Sequence, residues 1–160
     1  MGLKNYLIEG ITCTGKSSVC KELKKRGYTA INGDTKLAYQ GDPKTGEPTD
    51  GYFHEHHIWD VKKVECLLNN KEEAIFFCGG SRNFEHFIDR FDEVFVLDID
   101  RKTLEKRLDA RTKGQWGSRK EQRKLVLQLH ETKEDIPVNG IIINAAEPLS
   151  DVVNTILKYA

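Results

Sequence analysis

The chain has 160 residues, 38% hydrophobic and 31% charged, with 25 basic and 25 acidic side chains. That is enough for one domain, residues 1–160, burying roughly two-thirds of its unfolded surface. Zero formal net charge argues against nucleic-acid or membrane partners, and no apolar run approaches the roughly 20 residues of a membrane helix.

The first predicted strand is NYLIE (5–9), in an opening stretch without the long apolar core of a secretory signal. It runs into EGITCTGKSS (9–18), where Gly10, Gly15, Lys16 and Ser17 complete G-x-x-x-x-G-K-[ST], the phosphate-binding P-loop. The glycines let successive backbone N–H groups turn inward at a helix N-terminus, forming an anion nest. Lys16 adds charge near the β- and γ-phosphates, and the Ser17 hydroxyl is a ligand for Mg²⁺. Thr12, Cys13, Thr14 and Ser18 complete the loop, so the expected ligand is a nucleoside triphosphate with Mg²⁺.

A helix is predicted at 16–26, then the strand YTAIN (28–32), which ends in INGD (31–34). Asp34 there is either a functional carboxylate or the cap of the following helix. The stretch 39–52 is rich in Gly, Pro, Asp and Thr and reads as a loop that is either functional or disordered. A helix is expected over 53–69. It contains FHEHHIWD (53–60), where His54 and His57 share a face but no third metal ligand stands at a diagnostic spacing. Trp59 is either a stacking surface for a ring or part of the core, and Asp60 is a hydroxyl acceptor.

The strand EAIFFC (73–78) leads into Gly79, Gly80 and Arg82, and a helix at 83–90 follows. EVFVLDI (93–99) precedes a helix at 101–111 with Asp100 as its N-cap. Ser118 and Glu121 have the spacing of a capping box for a helix at 118–133. The strand GIIIN (140–144) and a helix at 148–158, with Leu149, Val152, Val153, Ile156 and Leu157 on one face, close the chain. Continuous apolar strands alternating with helices predict an α/β fold, a parallel sheet covered on both faces. Four cysteines (13, 20, 66 and 78) without a CxxC pair suggest reduced thiols in a cytoplasmic protein.

A GTPase would need Asn-Lys-x-Asp, which does not occur, and a large motor or AAA ATPase would need more chain and a helical lid domain. The P-loop, INGD, FFCGGSRNF (76–84) and RLDARTKGQWGSRKEQRK (107–124) together resemble the small P-loop kinases of the adenylate kinase, shikimate kinase and gluconate kinase type. The resemblance implies a P-loop NTPase three-layer sandwich, a five-stranded parallel sheet in order 2-3-1-4-5. It also implies a substrate-binding segment at about 34–60 and a small lid at about 112–120.

By that resemblance Asp34 faces the acceptor hydroxyl, Gly79 and Gly80 let substrate approach the backbone, and Arg82 grips the acceptor's anion. Arg107 lies near the adenine and Arg111 reaches the phosphates. Cys78 stands where the nucleotide kinases carry an Asp, which leaves a further Mg²⁺ ligand unassigned. The implied activity is transfer of the ATP γ-phosphoryl group to a small-molecule hydroxyl or phosphate by a monomer or homodimer. A nucleoside or nucleotide acceptor is favoured by the aromatics Tyr52, Phe53 and Trp59. Sugar-acid or other small-metabolite kinases, and a regulatory ATPase, are the alternatives.

Overall fold

The structure is a computed structural model that describes residues 4–70 and 72–160, so the first three residues of the opening stretch lie outside it. Strand β1 (Asn5–Gly10) is buried along its length and leads through the P-loop to α1 (Lys16–Lys25). Then come β2 (Thr29–Asn32), α2 (Gly33–Lys36), β3 (Ala38–Gln40), β4 (His57–Trp59), α3 (Val61–Leu68) and β5 (Ile75–Cys78). The chain continues with β6 (Glu93–Asp98), α4 (Arg101–Asp109), α5 (Lys120–Thr132), β7 (Ile141–Asn144) and α6 (Leu149–Tyr159).

The main sheet is wholly parallel, in the order β2-β5-β1-β6-β7. Numbered by its own five strands, that is the expected 2-3-1-4-5. Pleating sends Tyr6 and Ile8 to one face of β1 and Leu7 to the other. Tyr6 and Ile8 pack with Leu23, Phe95, Leu104, Val126, Val153 and Ile156. Leu7 packs with Trp59, Val64, Leu68, Phe77 and Phe87. The expected apolar face of α6 buries Val152, Val153 and Ile156, while Leu149 stays exposed.

Three expected elements differ. The helix expected over 53–69 starts only at Val61, because Asp60 caps it by accepting from the Lys63 N–H at 3.2 Å. Residues 54–56 form a 3-10 turn, and β4 pairs antiparallel with β3, outside the main sheet. Asp60 is therefore a cap. The stretch 83–90 forms two 3-10 turns, because the Asn83 side chain bonds the N–H and C=O of Trp59 at 3.0 and 2.9 Å instead of capping a helix. The Ser118–Glu121 box does not form: α5 has Arg119 at its N-cap without a side-chain bond, and Gln122 accepts from the Gly117 N–H at 3.0 Å.

Asp100 does cap α4, accepting from the Thr103 N–H at 3.3 Å. The 39–52 stretch extends the β3–β4 hairpin through a Gly41–Pro48 bridge. The Tyr39 hydroxyl donates to the Gly46 carbonyl at 2.6 Å and pins that turn.

Candidate active site

The C-terminal ends of β1, β2 and β5 open onto a cleft of about 630 Å³, where open parallel sheets bind ligands. Its floor is the P-loop. A Cβ on Gly10 would meet Thr14 Oγ1 at 2.6 Å and the Leu97 carbonyl at 2.9 Å, so the loop closes this tightly only around glycine. Gly15 (φ 98°) supplies the left-handed turn into α1, whose first turn carries no acidic residue. Free amides at such an N-terminus attract anions. Lys16 Nζ donates to the Gly10 carbonyl and, at 3.0 Å, to the Ile11 carbonyl. Burial lowers its pKa, opposed first by the charge of Asp34. Thr12, Ser17 and Ser18 line the cleft, and Thr14 is buried with its hydroxyl donating to the Ile11 carbonyl at 2.7 Å.

On the opposite wall stands Asp34. It does not cap a helix: Asn32 caps α2 by accepting the Asp34 N–H. One Asp34 oxygen takes His57 Nε2 at 2.9 Å, the Gly80 N–H at 3.2 Å and Trp59 Nε1 at 3.3 Å. The side chain remains 33% exposed. Burial pushes its pKa up, but the His57 bond and the Lys16 charge outweigh this and hold it below the ordinary carboxylate value. Trp59 itself is only 1% exposed and stacks on Phe87 at 5.8 Å. It belongs to the core, beneath Asp34, and not to the cleft lining. Tyr52 and Phe53 do line the cleft, joined by Trp116. Gly79 packs against Asp34, within 2.8 Å of where its Cβ would stand, while Gly80 lines the cleft.

Arg82 is paired. It forms an ion pair with Asp135 and donates Nη1 to the Asp135 carbonyl at 2.8 Å. The second Asp135 oxygen bonds His54 Nε2, and the His54 ring stacks on Trp116 at 5.7 Å. One carboxylate thus ties the 54–56 turn to the segment after β5, and His54 in turn touches Trp116. Burial pushes the Asp135 pKa up, yet His54 and Arg82 bring it below its ordinary value.

Sequence reasoning passed over Asp135, in the segment after α5, and Glu9. Glu9 is 1% exposed at the end of β1, accepts the Gly10 N–H at 3.3 Å and is pushed up to about 8 by burial, against the charges of Arg82 and Lys16. Its signal was available: a lone carboxyl closing an otherwise buried apolar strand.

Arg107 and Arg111, at the end of α4, both grip Cys13, whose backbone is left-handed (φ 72°). Arg107 donates to the Cys13 carbonyl at 2.9 Å and to the Ala145 carbonyl at 2.8 Å. Arg111 Nε reaches Cys13 Sγ at 3.1 Å. Arg107 and Arg111 also border a second cleft of about 410 Å³ with Glu147 and Leu149. The two clefts share Cys13, Gly15, Ser18, Arg111 and Gln115, so an elongated ligand can lie across the P-loop with one end in each. Among the described residues no cluster of three or more His, Cys, Asp or Glu could hold a metal. A cation here would rest on the Ser17 hydroxyl together with ligand oxygens and water, the habit of Mg²⁺.

No curated protein matches the chain in sequence. Among solved structures, a gluconokinase from Sinorhizobium meliloti 1021 superposes with a TM-score of 0.56 at 17% identity, over 97% of this chain and 90% of that one. A shikimate kinase from Bacteroides thetaiotaomicron gives 0.57 at 13% identity over 98% and 97%. A deoxyadenosine kinase from M. mycoides with bound dATP gives 0.54 at 17% identity over 98% of each chain. The fold is therefore that of the small P-loop kinases. A family model described as an AAA domain matches residues 7–128, a span that takes in Lys16, Asp34, Arg82 and Arg111. The large AAA motors set aside above carry a separate helical lid domain, which the described residues do not form. Because that match runs over far more than half of the sequence, the chain belongs to the AAA domain family.

Proposed function

We propose that the chain is a small-molecule kinase that moves the γ-phosphoryl group of MgATP to a hydroxyl or phosphate of a nucleoside or nucleotide. One observation carries this reading: a P-loop with its lysine and a hydrogen-bonded carboxylate, Asp34, face each other across one cleft. A hydrolase would use such a carboxylate to orient water and a kinase to orient an acceptor hydroxyl, and the aromatic-lined space beside Asp34 favours the acceptor. The likeness in fold to gluconokinase, shikimate kinase and deoxyadenosine kinase supports it.

The division of labour follows from the chemistry of each group. The triphosphate brings the transferable phosphoryl group and Mg²⁺ the charge neutralisation that phosphoryl transfer requires. The P-loop amides and Lys16 hold phosphate oxygens, Ser17 holds the cation, and Arg107 borders the nucleoside end. Arg111 exchanges its contact with Cys13 for the transferring group, where a guanidinium fork matches spreading charge. Asp34 orients the acceptor hydroxyl. Held below the ordinary carboxylate pKa by His57 and Lys16, it is a weak base in the resting state. It suits a loose transition state in which the hydroxyl proton leaves late. Tyr52, Phe53 and Trp116 give the acceptor flat apolar faces. Four unpaired cysteines support a reducing compartment, the cytoplasm.

The test is ATP consumption across a panel of nucleosides, nucleotides, sugars and sugar acids. One member should raise turnover above the acceptor-free rate, and Lys16→Ala should abolish the increase without unfolding the protein. ATP hydrolysis indifferent to every acceptor would defeat the reading.

A further inference from the structure

The acceptor end of the cleft has an unusual charge balance. Lys16 and Arg111 serve the phosphate end, which leaves Arg82 as the cation able to meet a negatively charged acceptor. Its Nε is buried without a partner, while its Nη1 is already committed to Asp135. Asp135 faces it with both a carboxylate oxygen and its backbone carbonyl, and the two side chains are 12% and 13% exposed. On the other side, Arg82 Nη2 and Glu9 Oε1 crowd the same point, 3.4 and 2.5 Å from where a Gly80 Cβ would stand. Glu9 is thus a near neighbour of Arg82, but the carboxylate that pairs with it is Asp135. Of the remaining groups, His54 bonds Asp135 and His57 bonds Asp34, while the half-open carboxylate of Asp34 faces the cavity. A phosphate or carboxylate placed there would meet Asp34 and Asp135 with no unpaired cation to offset them. An uncharged ring bearing hydroxyls would meet a hydrogen-bond acceptor and aromatic faces.

We propose that Asp135 masks Arg82 and so restricts the acceptor to uncharged hydroxyl compounds, a nucleoside or neutral sugar, against their phosphorylated or carboxylated counterparts. This narrows the kinase reading above and rests on it, but the masking itself can be tested without turnover. With the P-loop filled by a non-hydrolysable MgATP analogue, inorganic phosphate is titrated calorimetrically into the wild type, Asp135→Asn, Arg82→Ala and the double variant. The wild type should take up no phosphate in the millimolar range. Asp135→Asn should gain a site at least about tenfold tighter than any in the wild type, because the exposed fork then offers charge-assisted bonds. The double variant should lose it. A merely structural Asp135 would not create an anion site.

Phosphate binding by the wild type that Arg82→Ala removes would overturn the proposal, as would a folded Asp135→Asn that stays silent. Should Asp135→Asn not fold, Asp135→Ser takes its place in the same titration. Matched neutral and anionic acceptors then separate the two readings. Turnover of the anionic member alone sinks the masking and leaves the kinase standing. Turnover of neither, with the phosphate titrations as expected, sinks the kinase and leaves the masking.

Discussion

Glu9→Gln should make the protein's stability less sensitive to pH. The carboxyl is buried at 1% exposure and its pKa is raised from 4.5 to about 8, first by burial. Between those values the unfolded chain releases this proton and the folded chain keeps it, so folding binds protons and stability falls as pH rises. The contribution is fully present below about pH 4.5, is lost progressively up to about pH 8, and is flat above. At roughly 1.4 kcal/mol for each pH unit, the loss has a ceiling of about 5 kcal/mol. Glutamine has nearly the same shape and cannot titrate. Its amide N–H groups lack evident partners and add a cost of about 1–3 kcal/mol, but that cost shifts the curve vertically and leaves its slope alone. Urea unfolding of both proteins at unit steps from pH 5 to 9 isolates the slope. The stability of Glu9→Gln relative to wild type should climb by up to about 1.4 kcal/mol for each pH unit to pH 8 and then level off. A difference that stays flat across the range would refute the buried neutral carboxyl.

Asp34→Asn should lower kcat by about 10²–10⁴ with ATP affinity nearly unchanged. In the wild type, steady-state kinetics should place the acid limb of kcat below the ordinary carboxylate range, because the His57 bond and Lys16 outweigh burial. Arg111→Ala should reduce kcat and kcat/KM in proportion, the mark of a contact made in the transition state. Arg107→Ala should instead raise the KM for ATP, since it frees the P-loop carbonyl of Cys13. Asn83→Ala strands the N–H and C=O of Trp59 and should cost about 2–4 kcal/mol in urea unfolding. A loss below about 1 kcal/mol would mean that Trp59 is held by other contacts.

The five main strands were legible because each carries a short β-branched or aromatic run, although the edge strands β2 and β7 are only partly buried and Ile142 is exposed. The P-loop was legible because its four fixed residues also govern backbone shape. The β3–β4 hairpin was not: AYQ and HIW are three residues long and carry no alternation to read. Trp59 was ambiguous for a related reason, since a tryptophan beside a site has the same sequence whether it faces in or out. The partnership of Asp135 with Arg82 spans 53 positions and joins two loops, so no local spacing announces it. Glu9 differs, because its position in an apolar strand was on view and only its environment was hidden.

The place of β1 in the sheet bears on how the chain is made. It is synthesised first, yet it is the central strand. Asn5 pairs with Ile75 and Tyr6 with Glu93. Contacts so distant along the chain slow folding, because loop closure precedes any gain from pairing. On a ribosome adding about 5–20 residues per second, β1 waits roughly 4–17 seconds for both neighbours. Until then it is an apolar ribbon with two open edges, the form most exposed to pairing with other chains. Truncations that end before Asp98 should therefore aggregate, whereas the full chain closes both edges and shapes the P-loop in the same event.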